Sequence, residues 1–177
     1  YNIEKGKEEK RIPMEIRICK TQQEFNQLAE LANEIWHEYF VQLLSPEQID
    51  YMLDKFQSLP ALERAIHEEG YLYFLLYEEG NLLGYCGIHP EKERVFLSKL
   101  YLHQSQRGKG LSSLLMNQVI EYAKGHGKKA IYLTCNKHNQ HSLDVYRAKG
   151  FYEIDAVKTE IGHGFIMDDY VLQLDLL

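Results

Sequence analysis

Val95-Phe96-Leu97-Ser98-Lys99-Leu100-Tyr101-Leu102, then Gln106-Arg107-Gly108-Lys109-Gly110, then Leu111, Leu114, Leu115, Val119, Tyr122 and Ala123 at helical spacing, form the stretch that decides the fold. It reads as strand, anion-binding turn and helix. The first amides of a helix have no intrahelical partner, and the aligned peptide dipoles leave partial positive charge there. Glycine lets an anionic group come close to such a backbone. Arg107 and Lys109 add two full charges at the turn. The local chemistry therefore favours a phosphorylated ligand.

Two nucleotide motifs can be set against this spacing. G-x-x-x-x-G-K-[S/T], which cradles an NTP, is absent. A dinucleotide fingerprint needs a third glycine or alanine near Ser113 and an acidic residue closing the next strand, where this chain has Cys135-Asn136. Neither fits. A purely steric role for the glycines stays open on the turn alone.

Working outward, residues 1–13 read as a polar leader or extension, and residues 14–177 as a single domain. Glu15 to Cys19 alternates as a strand does. Thr21-x-x-Glu24 is a capping box opening a helix with Phe25, Leu28, Ala32, Ile35, Trp36 and Tyr39 on one face. Ser45-Pro46 starts a second helix, and Pro60 to Glu68 reads as a third. Tyr71 to Glu78, a turn at Glu79-Gly80-Asn81, Leu82 to His89 and Arg94 to Leu102 read as an antiparallel meander. After the glycine turn and its helix come a strand at Ala130 to Cys135, a helix at Asn139 to Lys149 and closing strands at Phe151 to Thr159 and Phe165 to Leu174. The strand-helix-strand unit from Phe96 to Thr134 is expected to make a parallel crossover. The class is α+β with a mixed, mostly antiparallel sheet.

The chain has 177 residues, ample for one buried core. Its net charge of -6 gives no general footprint for nucleic acid and weakly favours cationic small molecules. No apolar run approaches the roughly 20 residues that span a bilayer, so no membrane partner is expected. With no signal-type segment at the start, a cytoplasmic location is the default. Cys19, Cys86 and Cys135 are odd in number and widely spaced, which argues for reduced thiols. Of the eight histidines none sits in H-E-x-x-H, since His37-Glu38 leads to Val41, and no metal is expected.

A second constellation, Asn139-x-x-Ser142-x-x-x-Tyr146-x-x-Lys149-Gly150-Phe151, follows the turn. Taken together, the two motifs and the order of elements resemble the GNAT superfamily of acyl-coenzyme A dependent N-acetyltransferases. The resemblance implies that the amides of Arg107, Gly108, Lys109, Gly110, Leu111 and Ser112 hold a coenzyme A pyrophosphate. It also implies that the main chain of Leu100, Tyr101 and Leu102 pairs with the pantetheine arm. Asn139 then lies on the pantetheine side and Tyr146 near the thioester sulfur. A helix cap for Asn139 and a core aromatic for Tyr146 are the alternative roles.

Two positions depart from the family pattern: Ser105 replaces the glutamine or arginine before the first glycine, and Phe96 stands where many members carry a glutamate base. The base is accordingly assigned to Glu93, with Asp168, Asp169 and His89 as rivals. The expected activity is acetyl transfer from acetyl-CoA to a small-molecule amine, with a polyamine-like or other cationic acceptor favoured and a homodimer admitted. A non-catalytic acyl-CoA sensor and a protein or peptide N-acetyltransferase are the competing readings.

Overall fold

The computed structural model describes residues 13–177, so the leader lies, but for Pro13, outside the described residues. The elements are β1 (Met14–Ile18), α1 (Gln22–Tyr39), α2 (Pro46–Met52), α3 (Leu59–His67), β2 (Leu72–Glu78), β3 (Asn81–Pro90), β4 (Arg94–Leu102), α4 (Leu111–Gly125), β5 (Ala130–Asn136), α5 (Gln140–Ala148), β6 (Tyr152–Gly162) and β7 (Phe165–Asp175). No described helix is long and apolar enough to cross a membrane.

Local chemistry fixes the boundaries. Thr21 Oγ1 accepts from the Glu24 amide at 3.2 Å, and the Glu24 carboxylate accepts from the Thr21 amide at 2.9 Å, closing the capping box of α1. Ser45 Oγ accepts from the Gln48 amide at 3.2 Å ahead of Pro46 in α2. Between β2 and β3, Glu79 and Gly80 have φ of 49° and 78°, as a two-residue hairpin turn requires; His163 and Gly164 repeat this between β6 and β7 at 53° and 76°. One feature had no sequence signature: α2 runs on into a π-helical segment, Leu53–Gln57, which buries Gln57 where Tyr85 Oη donates to it.

The sheet has seven strands in the order β1-β2-β3-β4-β5-β7-β6. Every pair is antiparallel except β4 with β5, the product of the crossover through α4. One face packs on α4 and α5 through Val95, Leu97, Leu115, Val119, Leu133, Leu143 and Leu172. The other packs on α1 and α3 through Phe25, Leu28, Leu62, Tyr73 and Tyr85, and on α2 through Ile49 and Met52.

Two irregularities interrupt the middle of the sheet. The β4 and β5 pairing covers only Arg94 with Ala130, Val95 with Ile131 and Phe96 with Tyr132; the strands then diverge. The β3 and β4 register also steps from Gly87 opposite Lys99 to Ile88 opposite Leu97, leaving Ser98 as the extra residue of a β-bulge.

Gly84 of β3 sits under this region, and a Cβ there would lie 2.6 Å from the Tyr101 carbonyl oxygen. Gly84→Ala should destabilise the fold by about 1–3 kcal/mol. Calorimetry should show a fall in Tm of ~2–4 °C per kcal/mol. An unchanged midpoint would mean that β3 and β4 can part without cost.

Candidate active site

Where β4 and β5 separate, Leu97 to Leu102 of β4 keep β3 as their only strand partner among the described residues, and Leu133 to Asn136 of β5 keep only β7. The wedge between them is a cleft of about 640 Å³. Its walls include Leu100, Tyr101 and Leu102 from β4, Thr134 and Asn136 from β5, Asn139 and Tyr146 from α5, and Trp36 and Tyr39 from α1. Backbone groups on such an edge must find partners. A ligand arm with amides of its own satisfies them by joining as a strand.

At the β4 exit lies the glycine turn. Gly108 and Gly110 both have φ of 76°, and Gly110 caps α4 without a side-chain acceptor. Among the described residues, the amides from Gly108 to Ser112 have no backbone acceptor. A Cβ at Gly108 or Gly110 would meet open space, so the glycines serve the left-handed backbone rather than relief of crowding. Arg107, Gly108, Gly110 and Ser112 line the cleft. Lys109 is exposed, and Leu111 turns its side chain into the core below.

The positive charge at the turn is distributed otherwise than the sequence implies. Both oxygens of Glu38 accept from the Arg107 guanidinium, at 3.0 and 2.7 Å, and that group lies 5.1 Å from the Tyr39 ring centre. Arg107 therefore fastens the turn to α1. Lys149, at the end of α5, instead donates from Nζ to Ser113 Oγ at 2.6 Å and brings a cation to the first turn of α4.

Asn139 is 7% exposed and has a double function. Its Oδ1 accepts from the Ser142 amide at 3.3 Å, the cap of α5, and from Tyr39 Oη at 2.7 Å. Tyr146 reaches the cleft further along the same helix and packs edge-on to Phe151 at 5.7 Å. Burial pushes its phenol well above the usual range, so it is neutral. No described acceptor takes its proton, which leaves the hydroxyl free for a ligand atom.

The carboxylate that lines the cleft is Asp169 of β7, not Glu93. Glu93 precedes β4 at the end remote from the turn, is exposed and pairs with Lys129 at 2.8 Å; it does not line the cleft. His89 turns to the Glu69 carbonyl at 3.0 Å, and Asp168 pairs with Lys137 at 2.9 Å on the opposite face of β7 from its neighbour. Asp169 lines the cleft, is 4% exposed and has no hydrogen-bond donor among the described residues. It sits opposite Asn136 on β5 and Val157 on β6. Desolvation, with Asp168 nearby, pushes its pKa up to about 6.

Sequence reasoning missed Tyr39, Trp36, Gln57 and Lys99, all of which line the cleft. The only available sign for Trp36 and Tyr39 was their place on the apolar face of α1. Burial pushes the thiols of Cys19 and Cys135 up to about 12, and that of Cys86 higher, so none is a thiolate nucleophile. Among the described residues no group of three or more His, Cys, Asp or Glu could hold a metal ion.

Comparison with known proteins fits this geometry. The acetyltransferase (GNAT) family is matched over residues 26–151, from α1 through the start of the closing strands. The chain belongs to the GNAT family. Its fold is shared with the PaiA N-acetyltransferase of Thermoplasma acidophilum solved with coenzyme A, at a TM-score of 0.78 and 20% identity over 93% of this chain and 99% of that one. The spermine/spermidine N(1)-acetyltransferase of Bacillus subtilis is 32% identical over 85 residues, 43% of this chain and 56% of that protein. The L-amino acid N-acyltransferase MnaT of Escherichia coli is 26% identical over 114 residues, 60% of this chain and 66% of that protein. The chain thus spans about half the length of the spermine/spermidine enzyme.

Gly110→Val forces a β-branched residue into a left-handed conformation at the cradle of this GNAT domain. Titration calorimetry should show coenzyme A affinity falling by at least ~10-fold while the fold persists, in keeping with strain of ~1–3 kcal/mol. Unchanged affinity would contradict the cradle.

Proposed function

We propose that this GNAT protein transfers an acetyl group from acetyl-CoA to the primary amine of a small molecule by direct attack. The observation that carries the reading is one cleft with unpaired Gly108 to Ser112 amides at its mouth and both Asp169 and Tyr146 in its wall. The amides and the dipole of α4 would hold the pyrophosphate, and the open edge of β4 the pantetheine arm. Four strand steps of about 3.3 Å, roughly 13 Å, lead from Leu102 back to Ser98, setting the thioester beside the bulge.

The residues divide the chemistry between them. An alkylamine is protonated at neutral pH, with a pKa near 10.4. Asp169 attracts that ammonium and takes a proton from it, so the lone pair can attack the carbonyl carbon. As the carbon–sulfur bond breaks, the neutral Tyr146 phenol donates to the sulfur and holds the developing charge. No enzyme nucleophile is needed.

Asp169 supplies the carboxylate whose absence at Phe96 was the support for a sensor. Tyr51 Oη and Lys55 Nζ both donate to the Ile161 carbonyl at 2.6 Å, seating the β6–β7 hairpin against α2. That closure favours a pocket for a small acceptor over a groove for a peptide. The expectation of a polyamine rested on the acidic net charge and on the resemblance to small-molecule members of the family; among the described residues Asp169 is the one carboxylate lining the cleft, whose lining also includes Lys99 and Arg107, which favours an acceptor with a single amine.

Thiol release from acetyl-CoA over an amine panel tests the reading. Turnover with a small amine is expected, and binding without turnover on any amine would overturn it. Tyr146→Phe should lower kcat by ~10²-fold or more with little change in KM for acetyl-CoA. Unchanged kcat would reduce Tyr146 to packing.

Asp169 also links stability to pH. Its folded pKa, about 6, lies above the unfolded value of about 3.9, so folding favours its protonated form. The stability it contributes is present below about pH 4 and is lost as pH rises through 6. Asp169→Asn should raise stability at pH 7 by roughly 1–3 kcal/mol while abolishing the rise of kcat/KM through pH 6. A variant both less stable and fully active would remove Asp169 from the mechanism.

A further inference from the structure

The acceptor wall of the cleft holds a lysine that the protein leaves without an anionic partner. Phe96, Lys99 and Tyr101 alternate on the side of β4 that faces α1, and all three line the cleft. The bulge at Ser98 lies between Phe96 and Lys99 and keeps both on that side. Lys99 Nζ donates to Ser98 Oγ at 2.7 Å and lies 5.9 Å from the centre of the Tyr71 ring. Among the described residues no carboxylate lies within ion-pair distance of it. The acidic group that acts on it at longer range, Glu69, is exposed and engaged with Arg64 at 3.4 Å.

A buried indole lies in the same wall. Trp36 is 6% exposed, lines the same cleft, and its Nε1 has no hydrogen-bond partner among the described residues. Its ring lies 6.0 Å from that of Tyr101, the neighbour of Lys99 on the same face of β4. An ammonium held in a partly buried wall without an anionic partner is costly, and a ligand anion offsets that cost. Burial lowers Lys99 to about 8, so at neutral pH the group is still mainly charged. The carboxylate that lines the cleft, Asp169, is across the wedge on β7 and has no donor of its own.

We infer that the amine acceptor carries an anionic oxygen group beside its amine, and that Lys99 is the specificity-determining site for it. This rests on the reading of the cleft as an acetyl-transfer site. The acceptor's ammonium faces Asp169 and its anion faces Lys99, so each end of the ligand supplies the partner that the protein withholds. A diamine or polyamine would set a second cation against Lys99. The chemistry is that of an amino carboxylate or an aminoalkyl phosphate.

The test compares amines of matched length ending in carboxylate, phosphate, a neutral amide or a second amine. Coenzyme A binding and turnover of any of them report on the underlying reading; the ratios between them report on Lys99. For the wild type, kcat/KM is expected to be at least 10-fold higher for an anionic acceptor than for its neutral or cationic counterparts. The carboxylate and phosphate arms identify which anion is preferred. Lys99→Met should raise KM for the anionic acceptor at least 10-fold and collapse that ratio, and Lys99→Arg should restore much of it. Propionate, an anion without an amine, should compete with the acceptor in the wild type and lose that effect in Lys99→Met. Equal or greater preference of the wild type for neutral amines or diamines would overturn the inference without any variant. So would a Lys99→Met protein whose kcat falls equally on every acceptor, which would make Lys99 a base instead.

Discussion

Beyond Phe96 and Tyr132, β4 and β5 share no pairing, and the rest of the site depends on that parting. A parallel pair joined through α4 brings the end of β4, the glycine turn and the start of α4 into one line. Each strand keeps one neighbour, β3 or β7, so the sheet survives the gap. The open edges then need a guest with amide groups, which gives the cleft its direction. On the proposed reading its phosphate end is at Gly108 to Ser112 and its reacting end is near Ser98.

Around this wedge, polar groups are left incomplete. Among the described residues, Asp169 is buried and accepts no side-chain hydrogen bond, Tyr146 is half-buried and donates none, and Trp36 Nε1 is buried without a partner. In a core these would be defects, because a buried polar group that lacks its partner costs free energy. Grouped along one cavity, they describe the chemistry of what belongs there. By contrast, Glu38 with Arg107, and Asn139 with Tyr39, are paired and tie α1 to the turn and to α5. Rigid links thus frame a set of unfilled ones.

The succession of elements was legible because local rules govern it. Thr21-x-x-Glu24, Ser45-Pro46 and Glu79-Gly80 each fix a boundary through a nearby hydrogen bond or a required φ. The glycine turn was legible too, with Asn139 and Tyr146 identified by their spacing from it. What could not be read is set by contacts distant in sequence. Nothing local says that β7 inserts between β5 and β6, yet that insertion is what brings Asp169 beside Asn136. Glu93 lay beside β4 in sequence, but it is exposed at the end remote from the turn, where Lys129 meets it. The bulge at Ser98 shifts the alternation of β4, so the side of Lys99 could not be counted from the strand's start. Arg107 read as a free charge until α1 supplied Glu38.

The central claim is that the open edge of β4 and the amides of the glycine turn receive coenzyme A. Hydrogen exchange on the intact protein, measured residue by residue with and without saturating coenzyme A, tests this directly. Slowed exchange is expected at amides within Leu97 to Leu102 and Gly108 to Ser112, with the β1–β2 pair unchanged. Coenzyme A binding that leaves both of those segments exchanging as before would contradict the account.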